Sequence, residues 1–179
     1  MSVFVSLGRV VEELDRARLA YMVVGSVASS VHGRSRTTLD VDLVIEADAD
    51  ALERLLGELR EEDWYFDAET ARRALRERRQ FNLIDQKTMW KVDLIVQKPS
   101  SYAATAFRRR VVVRTAGLEV WVQSAEDSVL SKLLWSRRSP SERQQRDIAG
   151  VLEASELDWE YLEVWAEELG VAEMLDELR

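Results

Sequence analysis

Apolar residues recur along this chain with two periods, and the switches between them mark out a series of elements. Leu7, Val10, Val11 and Leu14 share one helical face, so roughly 6–18 is predicted as an amphipathic helix. The apolar run 21–24 predicts a first strand, followed by a sharp turn at Gly25-Ser26 and a brief helix over 27–31. After a polar loop, 33–38, residues 39–46 alternate as a strand, with Val41, Leu43 and Ile45 on one face. Asp48 or Asp50 is placed to cap a helix whose stripe is Leu52, Leu55, Leu56 and Leu59. A short strand at 63–66 precedes a basic helix, 68–79, with a thin apolar face. Residues 81–84 and 91–96 predict a hairpin around 86–89, in which Asp85 reads as a turn residue. Pro99 breaks the second arm, and Ser100 or Ser101 opens a helix that ends at Arg108-Arg109-Arg110. A second hairpin, 111–114 with 118–122, turns at Ala116-Gly117.

From Ser124 onward the pattern is helical. Helices are predicted over 125–137, 140–154, 159–168 and 171–178. The second of these rests on Ser139 as cap, Pro140 in the first helical position and Glu142 three residues after the cap. Asp158 starts the third and Gly170 ends it. The fold class that follows is mixed α/β (α+β): a mixed central sheet flanked by helices. The expected organisation is an α/β core over 1–123 and a C-terminal helical portion over 124–179, packed as one compact unit.

Composition narrows the possibilities. At 179 residues, 46 % hydrophobic and 32 % charged, the chain is an ordinary globular sequence able to bury a full core. It has no cysteine, which excludes disulfides, Cys-ligated metal and thiol nucleophiles. No apolar run approaches a membrane span and no secretory leader is recognisable, so a cytoplasmic protein is expected. With 25 Lys+Arg against 33 Asp+Glu, the net charge of −8 argues against non-specific coating of nucleic acid.

The candidate chemistry lies between Tyr21 and Glu46. Asp40 and Asp42 are two apart on one strand, so their carboxylates share a face. Paired carboxylates repel unless a positive charge lies between them, and hard oxygen donors suit Mg²⁺. The turn at Gly25-Ser26 opens a helix whose first N–H groups have no partner within it, which favours phosphate. Asp93 interrupts the otherwise apolar strand KVDLIV, where an unpaired carboxylate is costly; it shares its face with Lys91 and Ile95.

These residues carry a resemblance. GSVASSVHGRSRTTLDVDLV, followed by an aspartate in a later strand, resembles the nucleotidyltransferase superfamily of polymerase-beta-like fold. The same stretch resembles small stand-alone members, among them AbiEii-type toxin transferases and the lincosamide and aminoglycoside adenylyltransferases. The match covers about residues 20–96. A fainter similarity through SAEDSVLSKLL and RDIAGVL lands on Lys132, Arg146 and Asp147. The resemblance implies transfer of a nucleoside monophosphate from an NTP such as ATP to a hydroxyl of RNA, protein or a small molecule, with pyrophosphate released. It implies that Asp40, Asp42 and Asp93 hold Mg²⁺ (or Mn²⁺) or do proton chemistry, and that Gly25, Ser26 and Lys132 hold the triphosphate. Arg34 and Arg36, in the loop before the metal strand, would contact phosphate or acceptor.

Plainer readings stand beside these. Ser26 also fits a simple helix cap, His32 a packed helix end, Lys132 a solvated helix and Asp147 a partner for Arg143. Arg72–Arg79 and Arg108–Arg110 fit solvated faces, or a wall attracting RNA. The six tryptophans read as core or interface anchors. The rival function is a catalytically inactive module of the same fold that binds a nucleotide or a protein partner, for example in a toxin–antitoxin pair. A homo-oligomer is equally compatible.

Overall fold

The computed structural model describes residues 3–33, 40–139 and 141–178. In chain order its elements are α1 (Val3–Arg16), β1 (Ala20–Val24), α2 (Gly25–His32), β2 (Asp40–Glu46), α3 (Ala49–Glu58), β3 (Trp64–Tyr65), α4 (Ala68–Glu77), β4 (Gln80–Asp85) and β5 (Lys91–Val96). They continue with α5 (Ser101–Arg108), β6 (Val111–Thr115), β7 (Leu118–Val122), α6 (Ala125–Arg138), α7 (Glu142–Ala154), α8 (Trp159–Leu169) and α9 (Ala172–Asp176).

The strands form one seven-stranded sheet in the order β3-β4-β5-β2-β1-β7-β6. β2 runs parallel to β5, and β1 parallel to β7; the remaining neighbours are antiparallel. This is the mixed α/β sheet that the alternating pattern predicts. Its period-two alternation divides the strand residues between two faces. Tyr21, Val23, Val41, Leu43, Ile45, Val92 and Leu94 pack against the apolar stripes of α1, α3 and α4. On the opposite face, Met22 and Val24 pack under Phe107 of α5 beside Val44 and Ile95. That second face is covered only in part. Beyond β5 it presents Asn82 and Gln80, both exposed, and Tyr65, 65 % exposed.

A separate apolar cluster joins α6 to α9 through Leu130, Leu133, Ile148, Val151, Leu162 and Leu175, with Tyr102 of α5 against its rim. Most helices begin where the capping signals point. Asp48 accepts from Ala51 N–H at 2.8 Å, Ser100 from Ala103 at 3.2 Å, and Asp158 from Tyr161 at 3.0 Å. Gly170 ends α8 in the left-handed conformation, φ +67°.

Some expectations need correction. The first site helix starts at Gly25 and runs to His32, wider than 27–31. Ser139 does not open a helix: its N–H bonds Trp135 C=O at 3.0 Å and closes α6, and α7 begins only at Glu142. Pro140 lies outside the described residues. Asp85 is more than a turn residue. It is fully buried, and Arg9 Nε reaches it at 3.0 Å while Arg9 Nη2 meets Asp63 at 3.3 Å. Its other oxygen still accepts from Lys87 N–H at 3.0 Å, so one carboxylate both closes the hairpin and anchors α1.

Candidate active site

The site is assembled by strand register. In the parallel pair β2–β5, Asp42 stands opposite Asp93 and Asp40 opposite Lys91. Adjacent strands lie about 4.8 Å apart, and residues in register project to the same side. Asp40, Asp42, Lys91 and Asp93 therefore share the partly open face. On the flanks, Asn82 of β4 pairs with Asp93 and Val24 of β1 pairs with Asp42.

Val24 leads directly into Gly25, whose φ of +66° is one that side chains rarely adopt. A β-carbon at Gly25 would lie 2.3 Å from Asp42 Oδ2. The carboxylate thus rests on the turn that opens α2. The N-cap of that helix is Val24, which offers no side-chain acceptor, so its first-turn N–H groups gain no cap from the residue before it. Ser26 sits within the first turn and not at the cap, which removes the plain capping role. Its carbonyl accepts from Ser30 Oγ at 2.8 Å, and Gly25 C=O accepts from Ser29 Oγ at 2.9 Å.

The electrostatics tie the groups together. Burial, reinforced by the charges of Asp93 and Asp40, pushes Asp42 up to about 6, while Lys91 and Lys132 pull it down. Lys132 therefore acts on Asp42 from α6, some 90 residues further along the chain, as 132 − 42 gives. It is buried, and its Nζ donates to Asp147 Oδ2 of α7 at 2.8 Å, with side-chain exposures of 10 % and 7 %. Asp147 is thus a cross-helix partner of Lys132. Arg146, by contrast, is exposed and pairs with Glu142 along its own helix at 3.5 Å.

α2 is held between the sheet and the helical half. Gly33, which follows it, crosses α7 so closely that a β-carbon would lie 2.7 Å from Gly150 C and 2.8 Å from Val151 N. His32 Nε2 lies 2.6 Å from Gln123 C=O, and His32 C=O accepts from Ser155 Oγ at 2.9 Å. The histidine is a strut between β7, α2 and the end of α7. Arg34 and Arg36 lie outside the described residues.

Sequence reasoning placed Lys91 on the face of Asp93 but gave it no role. Its Nζ lies 2.7 Å from Asp93 Oδ2, and that contact holds the ammonium pKa above its usual range. Reading KVD at period two carries the signal. The buried acid Asp127 was also missed: Tyr161 donates to it at 2.8 Å and Ser124 Oγ at 2.9 Å, while the Arg109 guanidinium lies 3.8 Å over the Tyr161 ring. This network joins α5, α6 and α8. Of the C-terminal arginine triple, Arg108 bonds Thr105, Arg109 turns to Glu126, and Arg110 lies over Phe107 and Trp121.

Among the described residues, no three acidic or histidine side chains converge closely enough to hold a metal as they stand. The donor chemistry nevertheless suits a hard divalent cation, because three carboxylates share one face and a cation, Lys91, already stands among them. Among the described residues, no helix is long and apolar enough to cross a membrane.

A mixed sheet of this order, with a strand–turn–helix unit feeding a carboxylate-bearing strand, is the nucleotidyltransferase fold. Residues 1–179 match the family described as nucleotidyltransferase of unknown function (DUF6036), and the chain belongs to it. It is thus an enzyme of the nucleotidyltransferase class. Solved structures agree on the fold. The lincosamide antibiotic adenylyltransferase LnuA, bound to lincomycin, is 11 % identical over 86 % of this chain and 99 % of its own, with a TM-score of 0.62. ANT(2″)-Ia in complex with adenylyl-2″-tobramycin is 14 % identical over 92 % and 95 %, TM-score 0.65. An antigenic nucleotidyltransferase-like protein from Paracoccidioides brasiliensis is 22 % identical over 80 % and 70 %, TM-score 0.52. No curated protein matches the sequence.

Proposed function

We propose that this chain transfers a nucleoside monophosphate from an NTP to a hydroxyl acceptor, in a reaction that depends on Mg²⁺ or Mn²⁺ and releases pyrophosphate. The observation that carries the reading is the register of Asp42 against Asp93, with the Asp42 carboxylate resting on the Gly25 turn. That arrangement puts a carboxylate cluster at the start of α2, where backbone N–H groups face an anion.

In this reading residues 1–123 form the catalytic core and 124–179 a helical portion that brings Lys132 to the site. Asp40, Asp42 and Asp93 would hold the divalent ion, which when bound stabilises charge on the phosphoryl oxygens. The first turn of α2, at Gly25 and Ser26, holds the triphosphate. Lys132 adds a point charge toward it and is itself oriented by Asp147. Asp93, next to Asn82, takes the proton of the attacking hydroxyl. Arg36 and Arg34 contact the phosphates or the acceptor from their loop.

A small-molecule acceptor fits better than RNA. The Arg108–Arg110 triple is tied to internal partners, and Arg72 is paired with Glu53 and Glu69. Two proteins of the same fold have lincomycin or adenylylated tobramycin in their structures. The test is calorimetric titration of each NTP with Mg²⁺ and with EDTA. Saturable binding that needs the metal is expected; binding indifferent to metal would contradict the assignment.

A further inference from the structure

Lys91 is a cation standing among the carboxylates of the site. Its Nζ lies 2.7 Å from Asp93 Oδ2, its residue is in register with Asp40, and the charges of Asp40 and Asp42 also act on it. We propose that Lys91 is a built-in counter-ion of the carboxylate cluster: its ammonium takes the carboxylate oxygens that a divalent ion uses, and metal entry displaces it toward solvent. The inference rests on the metal-dependent reading above.

Three observations carry it. Carboxylates brought side by side on adjacent strands repel, so a site that waits for a metal needs positive charge meanwhile, and Lys91 supplies it in direct contact with Asp93. The partners are also unequal. Asp93's side chain is 9 % exposed and Lys91's is 41 %, so the lysine enters from the solvent side and can leave without becoming a buried, unpaired charge. Finally, the group is a lysine: a point charge on a flexible four-carbon stem exchanges more readily than the fixed fork of an arginine.

The test is Mn²⁺ binding, followed by electron paramagnetic resonance, for the wild type, Lys91→Met and Lys91→Arg. Removing one unit charge a few ångströms away should make Mn²⁺ bind about tenfold tighter or more in Lys91→Met. Lys91→Arg, which keeps the charge, should not gain affinity. Amine acylation of the wild type, read by mass spectrometry, separates displacement from a remote charge effect: Lys91 should label faster when Mg²⁺ is added, and no faster in Asp42→Asn. A wild type that binds Mn²⁺ while Lys91→Met binds it no tighter overturns this inference alone, as does labelling indifferent to Mg²⁺. Absence of Mn²⁺ binding to either protein overturns the metal-dependent reading as well.

Discussion

The Asp42 carboxylate lies over Gly25 at a distance that leaves no room for a β-carbon, 2.3 Å from where one would stand. The glycine is required twice, for its φ of +66° and for this contact. Gly25→Ala should therefore cost about 1–3 kcal/mol in strain alone. It should also displace Asp42 and weaken metal-dependent NTP binding. Urea melts and calorimetry on the same variant check both; an alanine that leaves binding intact would separate the turn from the site.

Asp42 itself should destabilise the fold at neutral pH. Its pKa is raised from 3.8 to about 6, so the folded protein holds that proton more tightly than the unfolded chain does. Its contribution to stability falls as pH rises through that window, and the full penalty applies above it. At about 1.4 kcal/mol per unit, the penalty is on the order of 3 kcal/mol without metal. Asp42→Asn should be more stable than the wild type at pH 8 in EDTA, and the difference should be lost as pH falls below 3.8, where the carboxyl is protonated in the unfolded chain as well. Urea melts at the two pH values measure it; equal stability at pH 8 would show that burial and the charges of Asp93 and Asp40 do not penalise ionised Asp42.

Lys132 and Asp147 form a nearly buried ion pair between α6 and α7. Removing either partner breaks this nearly buried ion pair, at a cost of about 3–5 kcal/mol. Lys132→Ala and Asp147→Ala should each show that loss in denaturant melts. A Lys132→Met, Asp147→Leu double variant should recover much of it while losing NTP affinity. Recovery of both stability and affinity would make the pair purely structural.

Gly33 meets Gly150 backbone to backbone, and its φ of −134° is open to any residue. Only the close approach demands glycine there. Gly33→Ala must push α2 and α7 apart, and about 1–3 kcal/mol of overpacking cost is expected. A thermal melt unchanged by the substitution would contradict the tight crossing.

Much of this site is local and was therefore legible. The two-residue spacing puts Asp40 and Asp42 on one face of their strand, and the apolar neighbours of Asp93 mark it as a costly carboxylate in a strand of its own, before any fold is known. What joins them is not local: the parallel register of β2 and β5 brings together residues about fifty apart, as 93 − 42 gives. The same limit explains Asp85, whose position beside a turn hides its ion pair with Arg9, 76 residues earlier. It also explains Asp147, whose intrahelical partner looked sufficient until α6 packed against α7. Ser139-Pro140 misled for a different reason. A serine before a proline reads as a helix start, but here its N–H closes the helix before it.

The central claim is that Asp40, Asp42 and Asp93 make this chain a metal-dependent nucleotidyl transferase, not an inactive copy of the fold. The most direct measurement incubates the full chain with α-labelled ATP, GTP, CTP and UTP, Mg²⁺ or Mn²⁺, and a panel of hydroxyl-bearing small molecules, RNA and proteins. The account predicts metal-dependent label on an acceptor, abolished in Asp40→Asn with Asp42→Asn and in Asp93→Asn. Label transfer that survives the paired substitution would contradict it, and so would a protein that binds no nucleotide and transfers no label to any acceptor.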